Sequence, residues 1–524
     1  MTATLAVSAI ALLVAGCSAT SAAPQGAGGA AGSASATIPL LRIGDDAILS
    51  TLDTGADEGN DVYGTLETLT KFGPSGQIEP DLATSVSQPD STTYVYHLRQ
   101  GVKFWNGDPM TSADVVNALD YYSKPGSYIS SLLVSVKSIA ATDPNTVTVT
   151  LKYPYAPFST EATGQFPIFE KKFQQEHPST MGQPGVLIMG TGPWQIDSFD
   201  PTTGLQLSAN PHWWGGTVPV KQITVKFFAS ETPEALAFRA GEIDAANNVL
   251  NPRAFSSTSG GSIVSAPAFS EGYFGMNVNE PPWNNIHVRR AVAYALNRPD
   301  IIAALGNNAE PVSTFIPPSE LARLGTKSQV NMLLNALPSY QYNLAAARKE
   351  LAESPYPHGF TAITQTITFA SYTPVNEAIA GDLAKIGINL KLKTIGFTQY
   401  LAFASGPKSA IGGLYVTFNV QNPDPNSFPS ELLGSANVAT GGYNWADYDP
   451  PASDTLLKAA EATQDDTKRL AIYGQLLQML ATDLPYVPLY IQNYNVALSS
   501  KFEWPDYNVY TQWGAWELNI KPKN

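Results

Sequence analysis

Residues 93–122, TYVYHLRQGVKFWNGDPMTSADVVNALDYY, decide how the rest of this chain is read. Tyr94, Tyr96 and Leu98 alternate with Val95, His97 and Arg99 at a period of two, and the run stops at Gln100-Gly101, which predicts a β-strand entering a turn. The apolar patch from Val102 to Trp105 predicts a second strand, ended by the turn formers Asn106-Gly107-Asp108-Pro109. Thr111 stands three residues before Asp114, a carboxylate variant of the capping box, and Val115, Leu119 and Tyr122 share one helical face. Strand, turn, strand, turn and capped helix follow in that order.

The same residues carry a resemblance. HLRQGVKFWNGDPMTSADVVNAL, from His97 to Leu119, resembles the signature segment of the extracellular solute-binding proteins of family five, the dipeptide, oligopeptide and nickel-binding components of ABC importers. A second block is similar to the family's crossing into its third domain: the strand Tyr273 to Asn279, a helix from His287 to Leu296, the break Asn297-Arg298-Pro299-Asp300, and another helix. The resemblance implies an α/β, two-lobed periplasmic-binding-protein-like fold (type II, Venus-flytrap) with an extra inserted domain, three domains in all. Lobe I is expected over 38–70, 190–275 and 495–524, the inserted domain over 71–189, and lobe II over 276–494.

Size and charge agree with that outline. A chain of 524 residues exceeds what one core serves, because single cores stop growing near roughly 250–300 residues. With 30 basic against 44 acidic residues the net charge is −14, which disfavours nucleic-acid backbones and anionic lipid surfaces as partners. Only 14% of residues are charged, while 41 Gly, 40 Pro and 24 Tyr suit a secreted globular protein rich in turns.

The single cysteine, Cys17, excludes a disulfide framework and a thiolate metal site. It closes the apolar run Leu5 to Gly16, which is too short to span a bilayer, and Val14-Ala15-Gly16-Cys17 resembles a bacterial lipobox. Residues 1–17 are therefore expected to be a lipoprotein signal with Cys17 as the lipid-attachment site, although no Lys or Arg precedes Arg42. Ser18 to Thr37, uncharged and built mostly of Ala, Gly, Ser and Thr, reads as a flexible tether with a reach on the order of 25 Å. Contact with the membrane is expected only through the lipid.

Along the rest of the chain, periodicity predicts a helix from Val62 to Leu69, strands over Thr146–Lys152, Trp194–Phe199, Gly204–Ala209 and Ile223–Phe228, and a helix from Thr232 closed by Gly241. Helices from Asn343 to Glu353 and Val375 to Ile386, followed by the alternating strand Ile388–Lys393, predict helices packed on a mainly parallel sheet. Two more helices, Ala452–Thr463 and Thr467–Thr482, precede Leu484 to Ile491, which resembles the family's crossing back.

The sequence holds no HExxH, P-loop or G-x-S-x-G, and its lone S-x-x-K, Ser405 to Lys408, is interrupted by Gly406-Pro407. Five histidines lack paired ligand spacing, so each reads as a surface or hydrogen-bonded residue. No enzyme, cofactor or metal is expected.

The resemblance places the ligand in the interdomain cleft. There the loop residues Asp57, Glu58 and Asn60 border it, and Tyr273, Phe274 and Asn277 with Tyr490 and Gln492 stand on the crossings. The segment Tyr415 to Phe428, YVTFNVQNPDPNSF, resembles the one that sets an aspartate against the amino terminus of a peptide. Matching Phe418 to the family's aromatic and Asp424-Pro425 to its turn puts Gln421 where the aspartate stands, with Asn419 and Asn422 beside it. A neutral amide accepts more weakly from an ammonium than a carboxylate does, so a free α-amine is disfavoured and a neutral, hydroxyl-rich or differently charged ligand gains. Tyr415, Phe418, Trp445 and Tyr490 can stack on sugar faces or fill cores.

The expectation is a monomeric, lipid-anchored receptor that hands a small solute to ABC permease subunits, a peptide first and an oligosaccharide next. A sensor without transport, or an enzyme on the same scaffold, are the alternatives.

Overall fold

The computed structural model describes residues 37–46, 49–56, 63–256, 261–368, 372–419 and 422–523. Its backbone is a nine-stranded sheet that runs through two halves of the molecule. The strand order is Gly413–Asn419, Ser262–Met276, Tyr486–Leu498, Ala245–Ala246, Leu41–Asp45, Gln222–Phe227, Gly204–Ala209 and Trp194–Asp200, with Ala309–Pro311 added on Tyr486–Leu498.

Two strands make the sheet continuous. Ser262–Met276 and Tyr486–Leu498 lie antiparallel, from Ser262 opposite Leu498 at one end to Gly275 opposite Tyr486 at the other. Strands of 15 and 13 residues reach about 50 and 44 Å, well over twice an ordinary strand, so each passes from one half into the other. The buried apolar residues divide accordingly. Two clusters draw on positions 38–264 and 496–520, and two on positions 273–490.

The decisive stretch folds largely as its pattern dictates. Thr93–Leu98 is a strand whose Tyr94, Tyr96 and Leu98 are buried, set in the four-stranded sheet Ala83–Asp90, Thr93–Leu98, Thr146–Leu151, Val136–Asp143. The helix Ser112–Tyr122 begins in a capping box, the Thr111 amide donating to Asp114 at 2.8 Å. Between them the expected second strand is absent. Residues 102–110 form a turn closed by a single bridge, Lys103 to Pro109, with Gly107 at φ 90°, a left-handed conformation that a side chain disfavours.

Two other expectations are corrected. Tyr63 and Gly64 take φ 49° and 62°, so no helix forms over 63–69; the backbone instead bonds outward, Gly192 N–H to the Thr65 carbonyl and Ile168 N–H to that of Glu67. A Cβ at Gly64 would stand 2.7 Å from that of Ala515. The sheet of the second half is not mainly parallel either. The parallel pair Phe360–Thr366 with Ile388–Thr394, joined by the helix Tyr372–Ala384, is a separate two-stranded sheet, whereas the crossing strands run there and back and so are antiparallel to their neighbours. The remaining helices, Leu344–Ala352, Pro451–Ala462 and Asp466–Asp483, lie within a residue or two of the expected bounds.

Candidate functional site

Away from the crossing strands, polar contacts join the two halves. Arg323, just past the short helix Pro318–Leu321, donates to the Gly76 carbonyl and stands 3.5 Å from Thr160 Oγ1 and 5.7 Å above the Phe72 ring. The Ala156 amide donates to the Glu461 carbonyl at 2.6 Å, and Gln88 reaches Gln464 at 3.4 Å.

An aromatic box lies beside Arg323. Phe72 and Phe269 face Tyr510 and Trp513 from two sides, with ring centroids 5.3–6.0 Å apart. The four rings come from the hairpin Thr70–Phe72, the crossing strand and the C-terminal segment, three stretches far apart in sequence.

Acidic groups line the same junction. Asp424 and Arg469 form a buried ion pair, Arg469 Nη1 donating at 3.0 Å, and Tyr473 and Asn426 extend the network. Across from them Glu161 accepts from the Tyr155 hydroxyl at 2.8 Å. Burial and then the nearby Asp424 push Glu161 up to about 8.

Deeper lie Glu271 and Glu320, both 0% exposed. Glu271 sits at the irregularity where the crossing strands shift register, with Ile491 opposite on one side and Phe418 on the other. A bulge of this kind re-aims a side chain. Its Oε2 accepts from the Tyr273 hydroxyl at 2.5 Å, but its Oε1 has no hydrogen-bond partner, and neither oxygen of Glu320 has one. Burial first, then repulsion from Glu320, hold Glu271 well above the usual carboxylate range, against the hydrogen bond from Tyr273. Burial and the neighbouring Asp424 do the same to Glu320, against the pull of Arg323. The adjacent Ser270 Oγ is also buried and unpartnered. Such a junction can hold a polar or charged guest against rings and carboxylates.

Residues 77–440 match the family model described as bacterial extracellular solute-binding proteins, family 5 middle. The chain belongs to this family. Its members are binding proteins rather than enzymes, as the description says. The glutathione-binding protein GsiB of Escherichia coli (strain K12) is 25% identical over 418 residues, covering 77% of this chain and 78% of that one. Among solved structures, DppA from Helicobacter pylori in complex with the peptide STSA superposes with a TM-score of 0.73 at 23% identity, over 93% of this chain and 99% of that one. NikA from Brucella suis in complex with Fe(III)-EDTA gives 0.78 at 22%, over 93% and 100%. The fold is thus the two-lobed periplasmic-binding-protein fold.

Within this family member, the residues expected at the ligand are dispersed. Asp57, Glu58, Asn60 and Gln421 lie outside the described residues, as does Cys17. Phe418 and Asn419 are on the strand Gly413–Asn419, in register with Glu271 and Ser270. Tyr273, Phe274, Tyr415 and Tyr490 are fully buried among core residues, the last two joined through their hydroxyls. Trp445 packs in the second half with its Nε1 on the Ala404 carbonyl at 3.1 Å, and Asn277 fixes a loop by donating to the Lys408 carbonyl at 2.8 Å. Gln492 is half-buried on the crossing strand beside Ala309. Asp424, which reaches the junction, is neutralised by Arg469, and Asn422 braces its turn by accepting from the Asp424 amide at 3.0 Å.

Phe72, Glu161, Phe269, Glu271, Glu320, Arg323, Tyr510 and Trp513 escaped the sequence reading. One of them carried a signal: Glu271 is a lone charge inside the apolar run AFSEGYFGM, and a charge there is costly unless it has a use. Glu320 follows Pro-Pro-Ser and reads as an ordinary helix start.

Proposed function

We propose that the protein is a lipid-anchored receptor of an ABC importer that captures a peptide or similar small solute between its lobes and delivers it to the permease. The coarser statement, an extracellular solute-binding protein, follows from family membership. The observation that carries the finer reading is the junction itself: four rings, Phe72 and Phe269 buried and Tyr510 and Trp513 half-buried, beside three buried carboxylate oxygens without partners where the two halves meet. Proteins do not ordinarily leave such atoms unpaired in an interior, because each costs about 1–3 kcal/mol. A guest that supplies the missing partners favours the closed arrangement by its differential affinity for closed over open lobes, and by no more.

The peptide class is supported by relatives whose names refer to glutathione and to a bound tetrapeptide. The anchor rests on Cys17 behind its apolar run. Among the described residues no helix is long and apolar enough to cross a membrane. The proposed moving bodies are residues 38–70, 190–275 and 495–524 with the insert 71–189, against 276–494. X-ray scattering of the purified protein with and without a tight solute tests the reading: the radius of gyration should fall on binding, and an unchanged profile for every solute that binds would rule out lobe closure.

A further inference from the structure

Glu271 and Glu320 stand out from every other acidic group at the junction. Asp424 has Arg469, Glu161 has Tyr155, and Glu461 accepts from Asn426 at 3.2 Å. Glu320 has nothing on either oxygen, and Glu271 has only the Tyr273 hydroxyl on one. Arg323, whose charge acts on Glu320, turns its guanidinium to the Gly76 carbonyl, Thr160 and the Phe72 ring, and no ion pair joins it to a carboxylate among the described residues. Two buried carboxylates with three unpartnered oxygens form half of an interaction whose other half is a donor bearing positive charge.

We propose that Glu320 and Glu271 receive a positively charged organic group of the captured solute, an ammonium or guanidinium, while the box of Phe72, Phe269, Tyr510 and Trp513 holds its apolar part. This deepens, and rests on, the receptor reading above. It also moves the site of charge recognition. The strand that leads to Gln421, a neutral residue, has its Phe418 and Asn419 in register with Glu271 and Ser270, so the carboxylate is one strand over. The arrangement selects a free amine, although the residue at position 421 by itself argues against one.

A cation with several donors satisfies the three oxygens at once, and rings beside it add a cation–π contribution. A neutral solute leaves at least Glu320 in need of a proton. The carboxylates that are protonated before binding must also ionise to receive a cation, so binding releases protons to the buffer.

The test is titration calorimetry of the full chain with three probes: trialanine, its N-acetyl derivative, and maltotriose, each in two buffers of different ionisation enthalpy. Trialanine should bind more tightly than the acetylated form by about tenfold or more, with a buffer-dependent heat that reports proton release. Glu320→Gln, which keeps the shape and removes the charge, should weaken trialanine by a similar factor and reduce the buffer dependence, leaving only the proton that Glu271 releases. Tight binding of maltotriose or of the acetylated peptide, unaffected by Glu320→Gln, overturns the cation site and leaves the receptor reading standing. So does unchanged binding of trialanine to the variant, since Arg323 or a proton would then be the carboxylates' partner. If none of the three binds and none contracts the protein in solution, the peptide-receptor reading fails and takes this inference with it.

Discussion

Glu67 and Glu320 are both buried glutamates held above the ordinary carboxylate range, yet they are opposites. Glu67 is surrounded by donors: Thr191 Oγ1 at 2.8 Å, Trp213 Nε1 at 2.9 Å and Trp214 Nε1 at 3.0 Å. It ties the chain's turn at 65–67 to the Trp pair that follows Asn210, and burial together with Asp81 raises it to about 8. Glu320 shares the burial and has no donor at all. A carboxylate sunk in protein is architectural when its partners belong to the fold and receptive when they do not. Burial and pKa alone cannot tell the two apart; the donor list can.

That contrast can be broken by mutation, and the largest effect is expected where a charge pair is internal to the fold. Arg469→Met strands Asp424 in the interior and should cost about 3–5 kcal/mol of stability, read as a drop in the urea midpoint. Glu67→Ala leaves two indole N–H groups and a hydroxyl without their acceptor, and about 3 kcal/mol should be lost in the same assay. A loss below about 1 kcal/mol would show that the tryptophans find other partners and that Glu67 is not architectural.

A smaller, reversible probe is pH. Glu67 and Glu161 are both raised from the ordinary 4.5 of a glutamate to about 8. The native state therefore holds protons that the unfolded chain has released, and stability falls as pH rises through this window: fully present below about 4.5, lost as pH passes about 8. The unliganded protein should unfold a few degrees lower at about pH 8.5 than at about pH 5.5 by calorimetry. A rise instead would mean that these carboxylates are ionised and paired when folded. The smallest effect separates the two glutamates most sharply. Glu320→Gln should change the stability of the unliganded protein by less than about 1 kcal/mol, or raise it, because no partner is lost and a repulsion is removed. A destabilisation as large as that of Glu67→Ala would erase the distinction.

Much of the fold was legible from pattern. The capping box at Thr111 and Asp114, the Asn cap at 343 and the left-handed Gly241 after Glu231–Ala240 are local devices, written within four or five residues and seen where the sequence puts them. Failures came where distant chain intervened. Val62 to Leu69 has helical composition, but Ala515 fills the space beside Gly64 and residues 168 and 192 claim its backbone groups. The aromatics picked as ligand platforms, Tyr415, Trp445 and Tyr490, are as suitable for a core as for a cleft, and their sequence neighbours do not say which.

What the sequence determined by itself was most of the order of elements, the kinship with solute-binding proteins, and the contrast in composition between the uncharged first 37 residues and the acidic remainder. These depend on periodicity, caps and motifs, which are short-range. Only the tertiary structure decided which side chains share the junction. Phe72, Glu161, Phe269, Glu271, Glu320, Arg323 and Tyr510 come from segments more than four hundred residues apart at the extremes, and no local rule links them. Whether a carboxylate among them is satisfied or waiting depends on groups that two long crossing strands carry into place from both halves at once.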